Sequence, residues 1–151
     1  MIVSMIPIAL SERDEFLRMA AAHFSELDSA FVPQDDWKTH YFDTILANPR
    51  YFLRWIRSDG QRAGFILFGL EKHRFLPRQT GAVYELYVLP EFRQRGIAKA
   101  CAVEAIRELW THGPSKIQLE VLEGRTAAAA LWKSLGFRKV TERLVLTGGA
   151  K

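Results

Sequence analysis

Apolar positions along this chain change period several times, and each change predicts an element. Ile2 to Ile8 form an opening strand-like run, and after Ser11, which can cap a helix, Phe16, Leu17, Ala20, Phe24 and Leu27 recur at helical spacing. Residues 28–33 read as loop. Asp35 then reads as the N-cap of a shorter helix bearing Trp37, Tyr41 and Ile45 at i, i+4, stopped by Asn48 and Pro49. Tyr51 to Arg57 and Ala63 to Leu70 are rich in aromatic and branched residues, and Ser58, Asp59, Gly60 and Gln61 between them supply the turn of a hairpin. A charged loop, Glu71 to Gln79, leads into a third strand, Ala82 to Leu89, ended by Pro90, which cannot donate to a ladder.

Downstream, Ile97, Cys101, Ala105, Ile106 and Leu109 fall on one helical stripe that Gly113 and Pro114 close. Ile117, Leu119 and Val121 alternate as a strand. A last helix runs from about Thr126 to Leu135, and Gly136 followed by Phe137 fits a Schellman-type cap. Arg138 to Thr147 reads as a strand or a tight pair of strands. Two strands joined by the helix Ile97 to Thr111 form a right-handed crossover, so parallel neighbours are expected inside an otherwise antiparallel sheet. The predicted fold class is a layered, mixed α/β arrangement.

At 151 residues the chain is expected to form one domain, 1–151, with a core of its own. Its 48% hydrophobic and 25% charged residues exclude a disordered tail, a collagenous repeat and a coiled rod. Lys and Arg number 21 against 17 Asp and Glu, a net charge of +4, which permits an anionic ligand but is too small to require nucleic acid. The basic residues are spread among acidic ones, so nucleic acid is not an expected partner. Cys101 is the single cysteine, which excludes an intrachain disulfide and a multi-cysteine zinc site and suits a reducing, cytoplasmic setting. Met1 to Leu10 lack the basic n-region of a secretory signal, and no run reaches the roughly 18 to 20 apolar residues of a membrane span. His23, His40, His73 and His112 show no ligand spacing, so they read as surface or capping residues and no metal is expected.

The strongest local signal runs from Val88 to Lys99: a strand, a basic turn containing Gly96, and a helix N-terminus. The first amides of a helix lack internal partners and sit at its positive end, so this geometry binds phosphate or diphosphate. Gly96 permits close approach to the backbone, and Arg93, Arg95 and Lys99 add cationic donors. Neither a second early glycine nor a Gly-Lys-Ser/Thr ending is present, which excludes Rossmann and P-loop nucleotide sites.

The run Arg93-Gln94-Arg95-Gly96-Ile97-Ala98 resembles the acyl-CoA binding motif of the GNAT (Gcn5-related N-acetyltransferase) superfamily, most of all its small ribosomal-protein type. Leu119-Glu120-Val121 and Leu131 to Phe137 resemble that family's next strand and closing helix. The resemblance implies a mostly antiparallel sheet with one splayed parallel pair, about four flanking helices, and acetyl transfer from acetyl-CoA, as cosubstrate, to an amine of a small molecule or protein. Diphosphate would rest on the amides of Arg95, Gly96, Ile97, Ala98 and Lys99, and pantetheine would pair with the backbone of Leu86 and Val88. The Val88 amide would donate to the thioester oxygen as it gains charge. Glu120 matches the position of a proton acceptor, with Glu85 on the adjacent strand as its rival. Acceptors would enter between the loop Asp28 to Asp36, the loop Glu71 to Gln79 and the splayed strands.

Two positions depart from the family pattern: Arg125 stands where an Asn usually meets the cofactor, and Trp132 where a Tyr protonates the leaving thiolate. An indole N–H donates hydrogen bonds but is not lost near neutral pH. Arg125 is expected on a phosphate of CoA, and Trp132 either against the pantetheine or as a plain core aromatic, with Tyr41, Tyr84 or Tyr87 as other candidates for the acid. A second reading, prompted by the absent Tyr, is a catalytically idle CoA-binding sensor, and the chain is read as monomer or homodimer.

Overall fold

The computed structural model describes residues 1–149, and the chain divides into two compact units, Met1–Glu120 and Val121–Lys151. The first unit is built on a five-stranded sheet in the order β1 (Val3–Pro7), β2 (Tyr51–Ser58), β3 (Gln61–Lys72), β4 (Gln79–Val88) and β5 (Ile117–Gln118). Neighbours run antiparallel except β4 and β5, which are parallel and joined through helix α3 (Ile97–Thr111), as the crossover pattern predicts. The β2–β3 hairpin turns on Asp59 (φ 50°) and Gly60 (φ 83°), the two positive φ values that a two-residue turn of matching twist requires.

Alternation along the strands divides the core between the two faces of the sheet. Leu53, Trp55, Phe65, Leu67 and Tyr87 bury against Phe16, Leu17 and Ala20 of helix α1 (Arg13–Leu27) and against Phe42 and Ile45. Phe16 anchors this layer, its ring stacked on Tyr41 and edge-on to Trp55 and Phe65. On the other face α3 buries Ile97, Cys101, Ala105 and Leu109 of the stripe read from the sequence, together with Ala102, while Ile106 is only half-buried. There Arg54 lies over Phe52 and Phe68 and is closed by a two-point bond to Glu108, at 2.6 Å for both nitrogens.

Four local readings are corrected. Ser11 is not a cap: a short 3₁₀ turn, Leu10–Glu12, precedes α1, and the Glu12 carboxylate reaches back to the Ala9 amide at 2.9 Å. Asp35 caps nothing, because the second helical segment starts as a π-helical stretch, Lys38–Asp43, before the single α turn α2 (Thr44–Ala47). That wide turn lets Trp37 and Tyr41 stack at 5.6 Å. Leu119 and Val121 lie outside β5, which holds only two residues. Arg138 to Thr147 forms no strand: no ladder partner meets it among the described residues, and Lys139 contacts Glu142 at 3.3 Å within the segment.

In the second unit, helix α4 (Thr126–Ser134) ends as the sequence predicts. Gly136 takes φ 96° and its amide donates to Lys133, while Phe137 donates to Trp132 at 3.1 Å, the paired bonds of a Schellman cap. The Phe137 ring completes the motif edge-on to Trp132, at 5.6 Å between centroids. No helix among the described residues is long and apolar enough to cross a membrane.

Candidate active site

Pairing between β4 and β5 is confined to Gly81 with Ile117 and Ala82 with Gln118. Past that point β4 bulges: Phe68 faces Val83 and Leu67 faces Glu85, so Tyr84 is the extra residue. A bulge bends its strand and sharpens the local twist, and here it falls where the two parallel strands part. It also reverses the phase of the backbone. The Gly81 amide donates toward β5, to Lys116, whereas the Leu89 amide donates toward β3, to Ala63 at 2.7 Å. Alternation along the antiparallel ladder then turns the amides of Glu85 and Tyr87 toward β3 and those of Leu86 and Val88 away from it.

The chain leaves this edge through a 3₁₀ turn, Pro90–Phe92, and enters α3 at Gly96, whose φ of 79° only glycine takes without strain. Among the described residues, its own chain neighbours apart, no atom lies within 4 Å of where a Cβ would stand on Gly96, so the turn is open on that side. The first bond of α3 runs from the Ala100 amide to Gly96, which leaves the amides of Ile97, Ala98 and Lys99 without acceptors in the helix. An unpaired β-edge running directly into an exposed helix N-terminus suits a long ligand with an amide-bearing arm and a diphosphate.

The cationic side chains are placed less uniformly than the sequence suggests. Arg93 is a staple: its Nε donates to the Val88 carbonyl at 2.8 Å, its Nη2 to both oxygens of Glu26, and its guanidinium lies over Tyr87. Arg95 covers the Phe92 ring. Gln94 takes a positive φ of 61° in the turn. Lys99 lines a cavity of about 660 Å³ with Met1, Val3 and Glu104.

Glu85 lies in a built environment. Its Oε2 lies 2.5 Å from His23 Nε2; the Glu85 side chain is 21% exposed and that of His23 8%. His23 is boxed by Phe24, Phe65 and Tyr87, at 5.1, 5.7 and 5.2 Å between ring centroids. Glu120 lies exposed, two residues beyond the end of β5. The reading of His23 as a surface or capping residue is thus corrected. The signal was present: His23 follows Ala20 by three residues and lies on the apolar stripe of α1.

The three candidate tyrosines near β4 all hold their phenol protons more firmly than free tyrosine. Burial, reinforced by the charge of Glu85, pushes the Tyr41 phenol above its ordinary range. Burial and a hydrogen bond given to Glu71 at 2.6 Å do the same for Tyr84, and burial for Tyr87. Of the three, Tyr84 donates to Glu71, and the buried Tyr41 hydroxyl meets no hydrogen-bond partner among the described residues. In the second unit, Arg125 stands at the N-cap of α4 and Trp132 is buried in its last turn.

The sequence model of the Acetyltransferase (GNAT) family matches residues 14–137. The chain belongs to the acetyltransferase (GNAT) family. It is 23% identical over 138 residues to an uncharacterized N-acetyltransferase of Methanocaldococcus jannaschii, covering 87% of this chain and 59% of that protein. It is 38% identical over 61 residues to a ribosomal protein bS18 alanine N-acetyltransferase of Salmonella typhimurium, covering 40% of this chain and 41% of the relative. The chain thus spans less than two thirds of the length of either relative. Among solved structures, a ribosomal-protein-alanine N-acetyltransferase from Brucella melitensis shares the GNAT fold, with a TM-score of 0.76 at 20% identity over 98% of this chain and 100% of that one.

Proposed function

We propose that this chain moves an acetyl group from acetyl-CoA to a primary amine of a small molecule or protein, by direct attack with both substrates bound. The observation that carries this reading is the release of β4 from β5 past Ala82, with the Leu86 and Val88 amides turned away from β3 and the N-terminus of α3 next along the chain. Pantetheine would add to β4 like a strand, and diphosphate would rest on the amides of Arg95 to Lys99.

An amine attacks a thioester only when neutral, and a lysine-type amine has a pKa of about 10.4, so the site must take a proton from it. Glu85 is the acceptor: it is reachable, and its second oxygen is held from behind. The ammonium first gives one proton to Glu85, which passes it to solvent; the neutral nitrogen then bonds to the thioester carbonyl carbon, the C–S bond breaks, and the second proton shed by the nitrogen goes to Glu85. The Val88 amide donates to the carbonyl oxygen while it carries charge. A thiol with a pKa of about 8.5 is a good enough leaving group to depart as thiolate and take its proton from solvent, so no dedicated acid is required.

Release of free thiol, followed with a disulfide reagent across a panel of amines, N-terminal peptides and aminoglycosides, tests this reading, with calorimetry for CoA binding. Heat on adding CoA and thiol release from at least one amine are expected. CoA binding with no release from any amine would make the chain a sensor, and absence of binding would remove the reading altogether. Trp132→Tyr, which keeps a ring against Phe137, is expected to turn over as fast as the parent or faster; a loss of about a hundredfold would give the indole an active part.

A further inference from the structure

We infer that His23 is a positioning residue for the proton acceptor: it fixes the Glu85 carboxylate through Nε2, and the rings around it exist in part to hold that nitrogen on target. The inference rests on the reading of Glu85 given above and deepens it. A carboxylate only accepts hydrogen bonds, so Nε2 carries the hydrogen of this 2.5 Å contact. The exposures set the order of the pair, because an incoming amine can reach Glu85, at 21%, but not His23, at 8%. Phe24, Phe65 and Tyr87 close on the imidazole and deny it other rotamers.

The side chain of a glutamate on an open sheet edge has three rotatable bonds and would sample many directions. One oxygen tied to a caged imidazole removes most of that freedom and leaves Oε1 to accept from the amine or its water. Helix α1 makes a second tie of the same kind one turn later, where Glu26 holds Arg93, which in turn holds the Val88 carbonyl. His23 and Glu26, at i and i+3, thus brace the acceptor carboxylate and the main chain beside the Val88 amide from one helix face.

The test uses the geometry of the donor. Nε2 of glutamine is as many bonds from the backbone as Nε2 of histidine, whereas the asparagine amide falls one bond short and phenylalanine fills the cage without a donor. With the best amine of the panel, His23→Gln is expected to keep kcat within about threefold of the parent. His23→Asn and His23→Phe are expected to lose about 10- to 100-fold in kcat with the KM for acetyl-CoA unchanged. Melting temperatures should rank the other way, with Phe above Gln. If kcat instead follows the melting temperatures, His23 is a packing residue and the inference falls; where Phe unfolds the chain, Gln against Asn decides.

A readout independent of any acceptor is an imidazole N–H resonance of His23 that is protected from exchange in the parent and displaced in Glu85→Gln; its absence would also overturn the inference. If Glu85→Gln turns over like the parent, the proton-acceptor reading itself falls. If that variant is dead while His23→Asn and His23→Phe match the parent, only the role of His23 is lost.

Discussion

Replacing Glu85 with Gln is expected to lower kcat by about 10²- to 10⁴-fold, the usual worth of a positioned base, while acetyl-CoA binding stays within twofold or so of the parent. Glutamine keeps the length and an acceptor oxygen for the His23 bond, so the variant removes basicity and little else. The loss should therefore appear in kcat rather than in the KM for acetyl-CoA, since Glu85 lies on β4 between the strand's pairing with β5 and its exit toward α3. Glu120→Gln serves as the comparison. Exposed beyond β5, it is expected to change kcat by less than about threefold, and the reverse ranking of the two variants would move the base to Glu120.

The largest effect on stability is expected at Gly64. A Cβ there would stand 1.9 Å from the Tyr87 carbonyl oxygen and 2.9 Å from its carbon, and both atoms are backbone that no rotamer change can clear. Gly64→Ala must open the β3–β4 ladder at Tyr87 and Val88, an overpacking cost of about 3 kcal/mol. For a chain of this size that lowers the melting temperature by roughly 6 to 12 °C. CoA binding should weaken with it, because the displaced backbone carries the Val88 amide. Gly60→Ala is the control: nothing lies within 4 Å of its Cβ, and the left-handed backbone at φ 83° costs only about 1 to 2 kcal/mol. A Gly64→Ala protein that melts within a degree of the parent would show that β3 and β4 approach less closely than described.

Elements whose causes are local were legible from the residues: the Asp59-Gly60 turn, the α3 stripe and the Gly136-Phe137 cap each depend on a few neighbouring residues. The bulge at Tyr84 was not, because it is set by the register of β4 on β3 rather than by any residue preference. The strand after α3 was expected to be longer because Ile117, Leu119 and Val121 alternate, yet only Ile117 and Gln118 pair with β4. Arg138 to Thr147 has strand-like composition, but composition cannot supply a ladder partner.

In the candidate site the strand-turn-helix pattern from Val88 to Lys99 was legible, since β4 runs through a short 3₁₀ turn into α3. Side-chain directions were not. Arg93, expected as a cationic donor beside the ligand, bonds Glu26 and the Val88 carbonyl. Glu85 meets His23, 62 positions away in sequence, a pairing no spacing rule contains.

The burial of Cys101 bears on chemistry it takes no part in. Each proposed turnover liberates a sulfhydryl, and the coenzyme's disulfide form could cap any surface sulfur as a mixed disulfide. The lone thiol of this chain is buried on the inner face of α3, and burial pushes it up to about 12, so at neutral pH it offers no nucleophile to that exchange. The protein is therefore expected to resist derivatisation by its own by-product, and a colorimetric reagent added to the native protein is expected to count released coenzyme alone.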